Sequence, residues 1–266
     1  MTALALVAVA CTHQGQQQSA SENVTASDSV KAQAIEFVAD SVVEKTAVGD
    51  YKVCLEVPHS GNEQLDQAVV AFVSDVLDCG KMTDAKALMR HIIDSVKVEF
   101  DKSGKENSLV ANGEMRLSWE AMGSKIYEND AVMTYEVKND QFGGGPHGQF
   151  IQMAQTFRKS DGKPLGWDVI NNWDSPEMNK LVVDGLKKYF EMTSDDELRE
   201  MLINVDDINH IQRPSSAPVF GPDGLTVRYQ QYEIAPYVAG LPEFTIPYEK
   251  LKSMIAPELY NELVAK

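Results

Sequence analysis

The chain carries Ala131-Val132-Met133-Thr134-Tyr135-Glu136-Val137, then Phe142-Gly143-Gly144-Gly145-Pro146-His147-Gly148, then a strand-like run from Phe150 to Phe157. The flanking runs are rich in β-branched and aromatic residues, which suit a pleated surface. The loop between them has glycines, which open positive φ and close backbone approach, and Pro146, which stiffens its middle. His147 reads in two ways: a side chain satisfied by its neighbours in a tight turn, or the working group of a binding or catalytic loop. No Lys-Ser or Lys-Thr follows the glycines and no helical period starts there, so a phosphate-cradling loop is excluded.

Outward from this loop the strand signal continues on both sides. Met115-Arg116-Leu117-Ser118-Trp119 predicts an earlier strand, with Glu128-Asn129-Asp130 as the turn before Ala131. Ser160-Asp161-Gly162-Lys163 ends the later one and leads into Pro164-Leu165-Gly166-Trp167. The glycine loop therefore joins neighbouring strands of a meander.

Helices are predicted on either side of the meander. Asn62 caps one whose apolar positions, Leu65, Ala68, Val69, Phe72, Val73, Val76 and Leu77, recur at threes and fours until Gly80. Thr83 caps the next, with Leu88, Met89, Ile92, Ile93, Val96 and Phe100 on one face, while His91 sits off that stripe. Downstream, Ser175-Pro176 is a helix start and Ser194-Asp195-Asp196-Glu197 a capping box for Asp195 to Ile203. Val219-Phe220 and Leu225–Tyr229 form a hairpin about Gly221-Pro222-Asp223-Gly224. The loop Tyr232–Gly240, a strand Phe244–Ile246 and helical pieces Tyr248–Ile255 and Pro257–Ala265 complete the chain.

Strand-rich and helix-rich blocks alternate without strict βαβ units. That pattern predicts an α+β fold, a mostly antiparallel sheet flanked by helices. Strands at Ala32–Val43 and Tyr51–Val57, with the first two helices, are expected to form a smaller N-terminal α+β subdomain over residues 32–107. Residues 108–266 then form the larger C-terminal domain.

The N-terminus, Met1 to Ala10, is apolar and small, and Cys11 follows directly. This resembles the end of a bacterial lipoprotein signal over residues 1–11, with Cys11 lipidated, and the run is too short to span a bilayer, which takes ~20 residues. A basic start is missing before it, which leaves room for a start codon upstream of Met1. Residues 12–31 are polar and aperiodic, the composition of a flexible tether. The expected location is thus exported and lipid-anchored, facing the periplasm or cell surface, with Thr12 after the cysteine favouring an outer membrane. Export would permit a disulfide between Cys54 and Cys79, although two buried thiols suit the sequence equally.

A formal charge of −16, from 40 acidic against 24 basic residues, repels phosphate backbones and excludes nucleic acid as a partner. It favours a basic partner. There is no GxSxG elbow, no HExxH and no dinucleotide fingerprint, and His13, His59, His91, His147 and His210 show no metal-ligand spacing. No cofactor and no metal are expected, and no catalysis. Asp206, Asp207 and His210 assemble a site only if folding brings them to His147. Tyr229, Tyr232, Pro236 and Tyr237 combine amphipathic rings with a stiff backbone; they either anchor a partner or turn a corner and pack on the sheet.

Two blocks carry a family resemblance. Gly144-Gly145-Pro146-His147-Gly148 resembles the Gly-Gly-Ala-His-Gly signature of the RsiV-like domain of unknown function, with Pro146 in place of alanine. Tyr232-Glu233-Ile234-Ala235-Pro236-Tyr237-Val238-Ala239-Gly240, then Thr245-Ile246-Pro247-Tyr248 and Leu251, is similar to the run that closes that family. The likeness covers Tyr51 to the C-terminus, more strongly after Ser118. That domain is the extracellular part of lysozyme-sensing anti-sigma factors and elsewhere precedes polysaccharide deacetylases, whose separate metal-dependent domain nothing here resembles. With the lipidation signal, the resemblance implies an envelope protein that binds lysozyme, another envelope protein, or a cell-wall ligand such as peptidoglycan, through the two loops. The alternative is an envelope hydrolase or accessory enzyme acting on peptidoglycan with His147 and nearby carboxylates.

Overall fold

The computed structural model describes residues 34–265; the lipoprotein signal, Cys11 and the tether fall outside the described residues. Strands β1 (Glu36–Lys45) and β2 (Gly49–His59) form an antiparallel hairpin. Helices α1 (Glu63–Val76), α2 (Ala85–Glu106) and the single turn α3 (Ser108–Ala111) follow. Strands β3 (Leu117–Glu128), β4 (Val132–Phe142) and β5 (Gln149–Arg158) then form the antiparallel meander. The sheet order is β1-β2-β3-β4-β5, with β2 and β3 parallel across the helical crossover and every other pairing antiparallel. The α+β architecture with a mostly antiparallel sheet is therefore observed.

Local chemistry sets the helix starts. The Asn62 side chain accepts from the Gln64 N–H and its amide donates to the Lys159 carbonyl, fixing α1 against the end of β5. The cap of α2 is Asp84, not Thr83: its carboxylate accepts from Ala87 N–H at 2.7 Å. Leu65, Val69 and Val73 of α1, with Leu88, Met89, Ile92, Ile93 and Phe100 of α2, pack on Tyr51, Val53, Leu55, Leu117, Trp119, Met133, Tyr135 and Val137. Each such side chain stabilises the fold by about 1.5–3 kcal/mol relative to exposure.

No break falls at Asn107. Strands from either side of it pair in one sheet, and the described residues form one compact unit. Asn107 caps α3 instead, and its side-chain amide also donates to the Gly144 carbonyl. The chain corrects the two-part division because the central strand pairing is parallel, and a parallel pair needs a long crossover between its members.

The opposite sheet face is covered at its β4–β5 end by the C-terminal half. Helices α4 (Pro176–Tyr189) and α5 (Asp195–Met201) begin at Ser175 and at the Ser194–Glu197 capping box. A second, three-stranded antiparallel sheet, β6 (Val219–Phe220), β7 (Gly224–Arg228) and β8 (Glu243–Pro247), follows, then α6 (Tyr248–Leu251) and α7 (Pro257–Val264). Val132, Met178, Val182, Leu186, Phe220, Leu225, Val227, Ile246 and Leu263 share this second core. Polar seams tie it to the large sheet. Thr134 Oγ1 donates to the Phe220 carbonyl at 2.7 Å and Phe220 N–H donates to Thr156 Oγ1 at 3.0 Å. Buried Arg228 lies between Glu136 of β4, at 3.0 Å, and Glu243 of β8.

Cys54 and Cys79 are separate free thiols. Period two in β2 sends Tyr51, Val53 and Leu55 toward the helices and Cys54 to the other face, whereas Cys79 packs on the helix-side core.

Candidate binding site

The glycine loop lies at the tip of the β4–β5 hairpin. Gly144 has φ +83°, and a side chain there would meet the Asn107 amide at 2.8 Å, so this position needs glycine. The second predicted loop comes to it by way of the β5 edge. Gln152 N–H donates to Gln230 Oε1, Gln230 Nε2 donates back to the Gln152 carbonyl at 2.9 Å, and Phe150 N–H donates to Gln231 Oε1. Two glutamine amides thus take the place of a sixth strand and bring Tyr232 and Tyr237 over the glycine loop.

There the rings meet. His147 stacks on Tyr237 with centroids 4.0 Å apart and planes 28° from parallel. The Tyr232 ring lies 5.9 Å from that of Tyr237. Tyr237 Oη donates to the Gly148 carbonyl at 3.1 Å, and the same carbonyl accepts His147 Nδ1–H at 2.8 Å. A carbonyl only accepts, so Nδ1 carries a proton, while Nε2 faces the Tyr232 hydroxyl at 3.5 Å.

Tyr232 takes φ +65°, a conformation costly for an aromatic residue. Several bonds hold it: Glu233 N–H donates to the Gln230 carbonyl, closing a turn, and Asn204 Nδ2 donates to the Tyr232 carbonyl at 3.0 Å. The Glu233 carboxylate accepts from the Gln230 and Ser215 N–H groups. Beyond Pro236 a 3-10 turn, Tyr237–Ala239, ends at Gly240 with φ +71°. Tyr189 Oη donates to the Ala239 carbonyl at 2.8 Å; burial, then the nearby Glu243 charge, pushes its phenol up from the ordinary value. The turn lifts Val238 into solvent, 89% exposed, beside a half-exposed Tyr232.

The structure thus assembles Gly144, Gly145, Pro146, His147, Gly148, Tyr232, Pro236 and Tyr237 at one place. Tyr229, grouped with them from sequence, is instead fully buried, its hydroxyl donating to the Gln212 carbonyl. Asp206, Asp207 and His210 do not join His147 in the hydrogen bonds or ion pairs of the described residues. Asp207 caps a turn with Asn209, whose backbone and side-chain N–H groups hold its carboxyl below the usual range, and His210 faces Asp174 at 3.7 Å. Among the described residues no group of three or more His, Cys, Asp or Glu side chains is placed to hold a metal ion. Val238, Tyr189, Asn204 and the two glutamines escaped the sequence reading; exposure of a valine and side-chain pairing to a strand edge leave no local signal.

A cleft of about 950 Å³ lies elsewhere, lined by Lys125, Tyr127, Glu128, Lys159 and Tyr248 among others. Its Glu128 carboxylate is matched within the protein, with Lys159 Nζ at 2.6 Å and Lys125 Nζ at 2.7 Å.

The fold and the site define an α+β module with an exposed aromatic cluster where two loops converge. Residues 168–249 match the family described as a protein of unknown function, DUF3298. The Tyr232–Tyr237 loop lies inside the matched residues and the glycine loop before them. A member of the DUF3298 family from Bacteroides fragilis has a similar crystal structure, with a TM-score of 0.71 and 18% identity over 89% of this chain and 100% of that one. A DUF3298 family protein from Pseudomonas aeruginosa PAO1 superposes with a TM-score of 0.57 and 18% identity, over 85% of this chain and 95% of that one. Comparison with curated proteins returns no match.

Proposed function

We propose that this is a lipid-anchored cell-envelope protein whose RsiV-like module binds a protein partner through the His147–Tyr232–Tyr237–Val238 surface, without chemistry of its own. The observation that carries the reading is the convergence of two loops, some 85 residues apart in sequence, into one exposed group of rings and a bare valine. Rigid aromatic side chains bury much area for little lost entropy, which suits an interface. The acidic chain favours a basic partner, and lysozyme is the concrete candidate. A hydrolase reading draws no support from His147, whose ring faces a hydroxyl, a phenol ring and a carbonyl where a general base would be oriented by a carboxylate.

Calorimetric titration of the full chain with hen-type lysozyme, at low and physiological salt, tests this reading. Binding that survives added salt and falls about ten-fold or more in Tyr237→Ala and Val238→Asp is the expected result. No association at saturating lysozyme overturns the lysozyme assignment, and unchanged affinity in both variants overturns the surface.

A further inference from the structure

The chemistry around the ring cluster is one-sided. From Asn139 to Phe157 the chain carries one carboxylate, Asp140, and no lysine or arginine. From Tyr229 to Tyr248 it carries Glu233 and Glu243, again with no lysine or arginine. Arg228, the nearest cation in sequence, is buried between Glu136 and Glu243 and cannot reach a ligand. The site therefore offers electron-rich ring faces, phenol oxygens and an imidazole whose Nε2 faces the Tyr232 hydroxyl, on two loop segments that carry no lysine or arginine of their own. Ring quadrupoles attract cations, and planar guanidinium groups stack on such faces best.

We propose that the His147–Tyr232–Tyr237 cluster is a receptor for a cationic side chain, an arginine guanidinium presented by a basic protein partner. This rests on reading the cluster as a binding surface and names what that surface holds. The exposed Tyr232 face takes the guanidinium plane, its hydroxyl and the His147 Nε2 accept N–H groups, and Val238 packs on the arginine's methylene stem. Asn204 fixes Tyr232 in its left-handed conformation and so aims the ring.

Nuclear magnetic resonance of the full chain tests it, with the aromatic signals of His147, Tyr232 and Tyr237 followed during addition of N-acetyl-L-argininamide. The neutral isostere N-acetyl-L-citrullinamide is the control. The expected result is saturable shifts at these rings with argininamide and about ten-fold weaker binding of citrullinamide, the order of a cation–π contact. His147→Lys, which adds a fixed positive charge beside Tyr232, loses the response. Equal shifts with both probes, no shifts, or an unchanged response in His147→Lys overturn the proposal. Its failure is separable from that of the lysozyme reading. Argininamide bound at these rings and undisplaced by lysozyme keeps the receptor and removes that partner. Lysozyme binding that survives with no argininamide response keeps the partner and removes the receptor.

Discussion

On one face of the five-stranded sheet, α1 and α2 cover Tyr51, Val53, Leu117 and Val137 almost wholly with hydrocarbon. On the other, the C-terminal layer meets the sheet through buried threonines, a buried Arg228–Glu136 pair and glutamine amides along β5. The first arrangement is non-directional and tolerates small shifts, because apolar burial scales with area. The second is directional: its polar groups, once desolvated, must find their partners or cost the fold heavily. A layer fixed by such bonds has one orientation on the sheet. That orientation brings the Tyr232–Tyr237 loop over the glycine loop and leaves the rings exposed rather than packed.

Breaking the polar seam tests this contrast most severely. Arg228→Ala leaves Glu136 buried with Lys138 at 3.0 Å and Gln152 at 2.7 Å as remaining partners. Lys138 still offsets part of the Glu136 charge, so the loss is expected at about 2–3 kcal/mol, below the cost of a wholly unpaired buried charge, to be read from urea denaturation. Arg228→Met combined with Glu136→Gln removes both charges together and is expected to recover most of that loss. A single substitution costing under about 1 kcal/mol would show that hydrocarbon, not the ion pair, fixes the layer.

A second carboxylate sharpens the comparison through its pH dependence. Glu128, at the end of β3, is nearly buried. Burial pushes its carboxyl up, but the Lys125 and Lys159 ammonium groups and the Ile35 N–H outweigh it and hold the group below its ordinary 4.5. A carboxyl with a lowered folded value adds stability above its unfolded value, and loses that contribution as pH falls through the folded one. Glu128→Gln should therefore cost about 2 kcal/mol at neutral pH and flatten the stability profile below pH 4.5. Melts at stepped pH check it; a parallel acid decline in wild type and variant would assign the loss to other groups.

Much of the apolar face was legible along the chain, because a helix writes its buried side at every third and fourth residue. Asn62, Ser175 and the Ser194–Glu197 box started helices where expected. Thr83 was displaced by its neighbour Asp84, a choice between adjacent caps that only backbone geometry decides. The β3 strand ran on to Glu128, beyond the Met115–Trp119 signal, since Glu120, Ala121, Gly123, Ser124 and Lys125 are not strand-rich residue types and dilute the pattern. Both loops of the site stood out by composition. Their meeting did not, because it depends on Gln230 and Gln231 finding backbone groups of β5 nearly 80 residues away. The parallel β2–β3 pairing and the parting of Cys54 from Cys79 are likewise long-range outcomes of sheet order.

The smallest expected stability effect carries the sharpest functional one. Tyr232 is half exposed, with φ +65°, so its ring gains little from burial while its backbone bears strain. Asparagine visits that conformation more readily. Tyr232→Asn should leave stability unchanged or raise it by up to about 1 kcal/mol, while binding at the ring cluster falls about ten-fold. Thermal melts beside a binding titration of the same sample read both quantities. A variant that binds as wild type would make Tyr232 a bystander. One that loses more than about 1 kcal/mol would make it a packing residue, with the left-handed turn serving the fold and not the surface. Stability held with binding lost is the signature of strain kept for presentation, and it would place the division between the two sheet faces at this residue: hydrocarbon holds one side together, and directional bonds on the other hold a ring where packing alone would not leave it.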